Sequence, residues 1–183
     1  MKTTISSSYF FLLATVLLQI SLSSAVPEVE ETCKEVVPEQ QYYPFCVKFL
    51  KSNPKSQGAD VNALMRMAVD MTLASFQRTS ERIDQLAGEP GVTKAQQTTY
   101  TMCRGSYSGG LNKLEQALPG FEKGGYVEAT NYLYAALDRI QSCIDSFTKT
   151  GTMPTLLDEN NEAVKAVRLV AKLMESCSKA AAS

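Results

Sequence analysis

The strongest constraint on this chain is a spacing. From residue 58 onward, apolar and small residues recur every three or four positions through four long segments. The first carries Val61, Met65, Ala68, Thr72, Phe76, Thr79, Ile83 and Leu86, and Gly88, Pro90 and Gly91 stop it. The second carries Cys103, Tyr107, Gly110, Leu114, Ala117 and Phe121, closed by a Gly/Pro-rich run at 119–125. The third carries Tyr126, Ala129, Leu133, Ala136, Ile140, Cys143 and Phe147, and the fourth Ala163, Val167, Val170, Met174 and Cys177. Such spacing lays one apolar stripe along a helix of period 3.6. Short links between long amphipathic helices favour antiparallel neighbours. The expected fold is therefore all-α, an up-down-up-down four-helix bundle over residues 58–183.

The five cysteines refine this picture. Cys103 and Cys143 fall on the stripes of consecutive helices, at nearly equal distances from a turn near residue 122. The mismatch of about two residues is roughly 3 Å of helical rise, which a modest shift absorbs, so these two are expected to pair. In residues 26–57, two short helix-like pieces flank the interruption at Pro38–Pro44. Neither is long enough to persist alone in water. A Cys33–Cys46 bond would hold them as a helical hairpin, contributing about 3 kcal/mol in the chain-entropy model. Cys177 is then the odd thiol, and its place on the fourth stripe predicts a buried, inert side chain.

Disulfides imply an oxidising compartment, and the N-terminus agrees. Lys2 precedes an apolar run at 9–22, too short for a comfortable membrane span, and Ser23, Ser24 and Ala25 supply small residues for signal-peptidase cleavage. Residues 1–25 are expected to be a removed signal peptide. Without Lys2 the 18 basic residues of the chain become 17 against 19 acids, a net charge of −2. No basic stripe exists to displace counterions, so neither nucleic acid nor, after cleavage, a membrane is an expected partner.

The chain contains no histidine. That removes Ser-His-Asp and Cys-His nucleophile systems, H-E-x-x-H zinc sites and imidazole proton shuttles together. No Gly-rich phosphate loop is present. The densest acidic group, at 158–160, falls at the start of the fourth bundle helix, where acids favour the helix dipole and cap the first turn. No catalytic, cofactor-binding or metal-ligating residue is assigned, and the chain is not expected to be an enzyme. Tyr126 reads as core, with Tyr132 and Tyr134 flanking the stripe and keeping their hydroxyls wet.

The order of these features resembles a known family. Phe45-Cys46-Val47, Leu50, Pro54, Ser56 and Ala59-Asp60 stand at fixed offsets, followed by Ala135-Ala136-Leu137, Cys143 and Phe147. This pattern is similar to that of the plant invertase and pectin methylesterase inhibitors, across essentially the whole chain after residue 25. The resemblance implies a bundle with an N-terminal hairpin, and the pairings Cys33–Cys46 and Cys103–Cys143. It also implies inhibition by steric blockade of an enzyme's substrate cleft, with no chemistry and no cofactor, by a protein that is monomeric when free. The partner is pectin methylesterase or an acid invertase, and the location the apoplast or cell wall, with the vacuole as alternative.

Two departures bear on the target. Invertase inhibitors often carry Pro-Lys-Phe near the start of the third bundle helix, whereas here Gly125-Tyr126-Val127-Glu128 resembles the methylesterase branch. After the third cysteine the family commonly carries acids in a C-x-E-x-Y-x-D-A pattern, and this chain has Gly105 and Gly109 there, then Gly110. An enzyme-facing patch is expected to include Asn112, Ser142 and Asp145. A different reading, a carrier of a small apolar ligand, would need a gap inside the bundle, and these glycines are where one could open.

Overall fold

The computed structural model describes residues 28–182 apart from Pro38, so the expected signal peptide lies outside the described residues. Two short helices, α1 (Val29–Val36) and α2 (Tyr43–Lys51), precede a 3-10 turn at Pro54–Ser56. Four long helices follow: α3 (Val61–Ala87), α4 (Lys94–Glu122), α5 (Tyr126–Thr150) and α6 (Leu157–Ala182). No strand occurs among the described residues.

Each long helix starts and stops for a local reason. Asp60 caps α3, its carboxylate accepting from the Ala63 amide at 2.8 Å, and Gly88 follows its last turn. Thr93 and Gln96 form a reciprocal capping box at the head of α4. Gly151, in the left-handed region at φ 64°, ends α5. The end of α4 departs from expectation: the helix runs through Pro119 to Glu122 and turns only at 123–125. Pro119 is solvent-exposed in the last turn, and the Glu115 carbonyl that it leaves without a helical donor lies on an exposed residue open to water.

The stripes read from spacing are the buried faces. Met65, Ala68, Phe76, Ile83, Cys103, Tyr107, Leu114, Leu133, Ile140, Val167 and Met174 are all buried, and one continuous apolar cluster joins them. Tyr126, read as core, is instead half-buried, leaning on Phe121 with 6.4 Å between ring centroids. Helices α3 and α4 run antiparallel: Arg66 lies over the Phe121 ring, Phe76 meets Tyr107, and Asp84 binds Arg104. Helices α4 and α5 do the same, from Thr99 beside Thr150 to Gly120 against Ala129. Contacts of α6 with both α3 and α5 close the bundle, and the hairpin packs against α3 and α6.

Both disulfides sit in this frame. Cys33 and Cys46 join α1 to α2 with Cα atoms 5.8 Å apart, and Cys103 and Cys143 join α4 to α5 at 4.4 Å. Cys177 is free and buried in α6.

Candidate functional site

Helices α4 and α5 form the most extensive pair in the molecule, and small residues let them approach. At the turn the Gly125 amide donates to the Gly120 carbonyl at 2.6 Å. A Cβ on Gly120 would stand 3.1 Å from the Gly125 carbonyl oxygen, so a larger residue there would push the helix ends apart. At the far end, the hydroxyls of Thr99, Thr150 and Thr152 form a cluster, with Thr99 to Thr150 at 2.5 Å and Thr99 to Thr152 at 3.1 Å. Between these ends the Cys103–Cys143 bond fixes the register.

The three residues expected to face a partner are all exposed. Asn112 accepts from the Gln116 side chain at 2.9 Å, Ser142 donates to the Asp138 carbonyl at 2.9 Å, and Asp145 accepts from Gln141 at 2.8 Å. Each is tied only within its own helix. Ser142 and Asp145 flank Cys143, level with Cys103. Asn112 lies further along α4, about 13 Å of rise away, so the structure brings together two of the three.

The glycines after Cys103 differ from one another. A Cβ at Gly105 would meet nothing within 4 Å. At Gly109 it would touch the Arg139 side chain at 3.4 Å, and at Gly110 it would strike the Phe76 ring at 2.7 Å. The three therefore open no chamber: Phe76 fills the space at Gly110, Arg139 lies across Gly109, and Gly105 faces solvent. Arg139 makes no ion pair among the described residues, whereas Arg104 is held by Asp84 at 2.5 Å. The outer surface here thus presents a guanidinium over a glycine.

Behind this face lies a polar tie that local sequence reading assigns elsewhere. Asn160, expected among the capping residues of α6, is 1% exposed and accepts a hydrogen bond from the Tyr107 hydroxyl at 2.9 Å. Asp158 and Glu159 do occupy the first turn of α6. Burial pushes the Tyr107 phenol well above its ordinary range, because the ionised form would lose its hydration. Val127 and Tyr134 on α5 are apolar or aromatic and exposed, Val127 to 75%, and both stand off the apolar stripe. Among the described residues, no group of three or more Cys, Asp and Glu side chains is placed to hold a metal ion.

A family model described as plant invertase/pectin methylesterase inhibitor matches residues 27–182. A pectinesterase inhibitor of Actinidia deliciosa is 31% identical over 157 residues, covering 84% of each chain. A putative invertase inhibitor of Platanus acerifolia is 29% identical, covering 90% of this chain and 92% of that protein. A crystal structure of a pectin methylesterase inhibitor from Arabidopsis thaliana superposes with a TM-score of 0.59 at 20% identity, covering 80% of this chain and 93% of that one. A mutant form of such an inhibitor from Arabidopsis reaches 0.67 at 18% identity, covering 81% of this chain and 97% of that one. At those identities the structural likeness speaks for the fold alone.

Proposed function

The chain belongs to the plant invertase/pectin methylesterase inhibitor family, and we propose that it blocks the substrate cleft of pectin methylesterase by reversible docking of α4 and α5. Membership makes it a proteinaceous enzyme inhibitor rather than an enzyme. The observation that carries the methylesterase reading is the start of α5. Gly125-Tyr126-Val127-Glu128 stands where invertase inhibitors often have Pro-Lys-Phe, and the tight Gly120–Gly125 approach leaves that corner compact.

The docking face in this reading contains Ser142 and Asp145 beside the α4–α5 disulfide, with Asn112 further along α4. A rigid, disulfide-locked helix pair suits that role, because little conformational entropy is lost on binding. The protein acts as a monomer in the apoplast, after removal of residues 1–25 from the hairpin and bundle units. No helix among the described residues is long and apolar enough to cross a membrane. Invertase is the second reading, supported by the plane-tree relative named as a putative invertase inhibitor.

Titration of the purified, disulfide-bonded chain against a plant pectin methylesterase and an acid invertase, at acidic pH, separates the two. The expected outcome is loss of methylesterase activity with invertase untouched. Inhibition of invertase alone would transfer the role to the second target, and silence in both would end the inhibitor reading for these enzymes.

A further inference from the structure

A cleft of about 220 Å³ lies where the hairpin meets α6 and the flank of α5. Its walls include the rings of Tyr42, Phe45 and Tyr134, with Lys165, Arg168 and Lys172 around them and one acid, Glu39. Three aromatic rings and three cations around one small space make an arrangement that hairpin packing alone does not require.

Two of the three cations are not spent on ion pairs among the described residues. Lys172 is paired with Glu175 at 3.4 Å. Lys165 and Arg168 make no ion pair among the described residues. Lys165 Nζ stands 5.9 Å from the centre of the Phe45 ring, and Arg168 Nη1 donates to the Tyr42 hydroxyl at 3.1 Å. Arg168 is thereby aimed across the cleft with guanidinium donors to spare. Such a fork is suited to a carboxylate, and the rings beside it to a flat apolar face.

Size and surroundings narrow the occupant. An engineered cavity of about 150 Å³ holds benzene, so this one has room for a single six-membered ring bearing a carboxylate. Across Phe45 and Lys165 lies a second cleft that carries Asp158 and Glu162 with only Lys48 added. A polyanion extending in that direction would meet these two carboxylates as well as Lys48, so the cations gathered at the first cleft favour a small monocarboxylate over an acidic polymer.

We propose that the hairpin–α6 cleft is a binding site for a small aromatic monocarboxylate, held by Arg168 and Lys165 and stacked among Tyr42, Phe45 and Tyr134. The cleft shares α5 with the enzyme-docking face through Tyr134, but none of Asn112, Ser142 and Asp145 lines it, and the proposal stands whether or not the chain inhibits either enzyme.

The test is a titration of the isotope-labelled, disulfide-bonded chain, followed by amide NMR, with benzoate, benzyl alcohol and galacturonate in parallel. Benzoate is expected to produce saturable shifts confined to Tyr42, Phe45, Cys46, Tyr134 and residues 165–172. Benzyl alcohol, lacking the charge, should bind about tenfold more weakly, as should benzoate to Arg168→Gln, since a charged hydrogen bond is worth that much or more. Lys165→Gln should weaken it less. Both side chains are exposed, so unchanged shifts elsewhere will show that the variants fold. Absence of saturable shifts, equal affinity for benzyl alcohol, or indifference to Arg168→Gln would overturn the site. Preference for galacturonate would overturn the aromatic class in favour of a uronate.

Discussion

The hairpin and the α4–α5 pair are each closed by a buried disulfide, yet the two bonds answer different problems. Helices α1 and α2 have 8 and 9 residues, too few to persist in water without support. Beyond each other they pack chiefly on α3, α6 and the 3-10 turn, and sparsely. Across the hairpin Lys51 binds Glu30, holding that carboxyl below its ordinary range, but the pair is open to solvent and adds little. There the covalent bond substitutes for a core. Helices α4 and α5 have 29 and 25 residues and already share an extensive apolar seam. Here the bond fixes a register. A disulfide thus creates a unit in one region and sharpens an existing one in the other.

Removing each bond should break the comparison open. Cys103→Ala with Cys143→Ala should cost about 4 kcal/mol in a urea titration, spread over the whole bundle as one transition. Cys33→Ala with Cys46→Ala should cost about 3 kcal/mol at most, confined to the hairpin. Amide exchange would then rise at 29–51 while α3–α6 stay protected. Equal, global losses from both would mean the hairpin is an integral part of the bundle core.

The glycines of α4 test its contact with α3 and its open face. Gly110→Ala drives a methyl group into Phe76 and should destabilise by about 1–3 kcal/mol. Gly105→Ala, facing open solvent in mid-helix, should stabilise by about 0.5–1 kcal/mol. Thermal melts of the two variants would show opposite signs; the same sign would refute the packing described.

The last effect is a titration, felt only at alkaline pH. Tyr107 has a folded-state pKa above its unfolded value, so its contribution is full below about pH 10 and fades as pH climbs beyond it. The unfolded chain sheds that proton first, and stability should fall by about 1.4 kcal/mol per pH unit from this group alone. In Tyr107→Phe that share of the alkaline slope should vanish in a stability–pH series, while Asn160 loses its donor and stability drops at every pH.

What spacing could reveal was the inward face of each long helix, because burial on one side imposes a period. It read α6 too narrowly. Ala166, Leu169, Ala171 and Leu173 are also buried there, since α6 packs against the hairpin as well as the bundle. A single stripe does not announce a second neighbour. Asn160 was misread for a related reason: an amide near a helix start looks like a cap, and its true partner is 53 positions away. The candidate docking residues were the least legible. Exposed side chains carry no period, and Asn112, Ser142 and Asp145 make bonds that any solvent-facing helix could make. Family resemblance, not physics of the single chain, drew attention to them.

Cys177 has a consequence for how the chain is made. In an oxidising environment an odd thiol can invade the wrong disulfide, and it does so as the thiolate. In the finished structure it is 3% exposed, and burial raises its pKa, so little thiolate is on offer. The earlier danger is met by order along the chain. All four paired cysteines precede Cys177, so during synthesis both correct partners of each bond emerge before the competitor does. By the time α6 follows, the one sulfur that could scramble the pattern arrives on the segment that docks it out of reach.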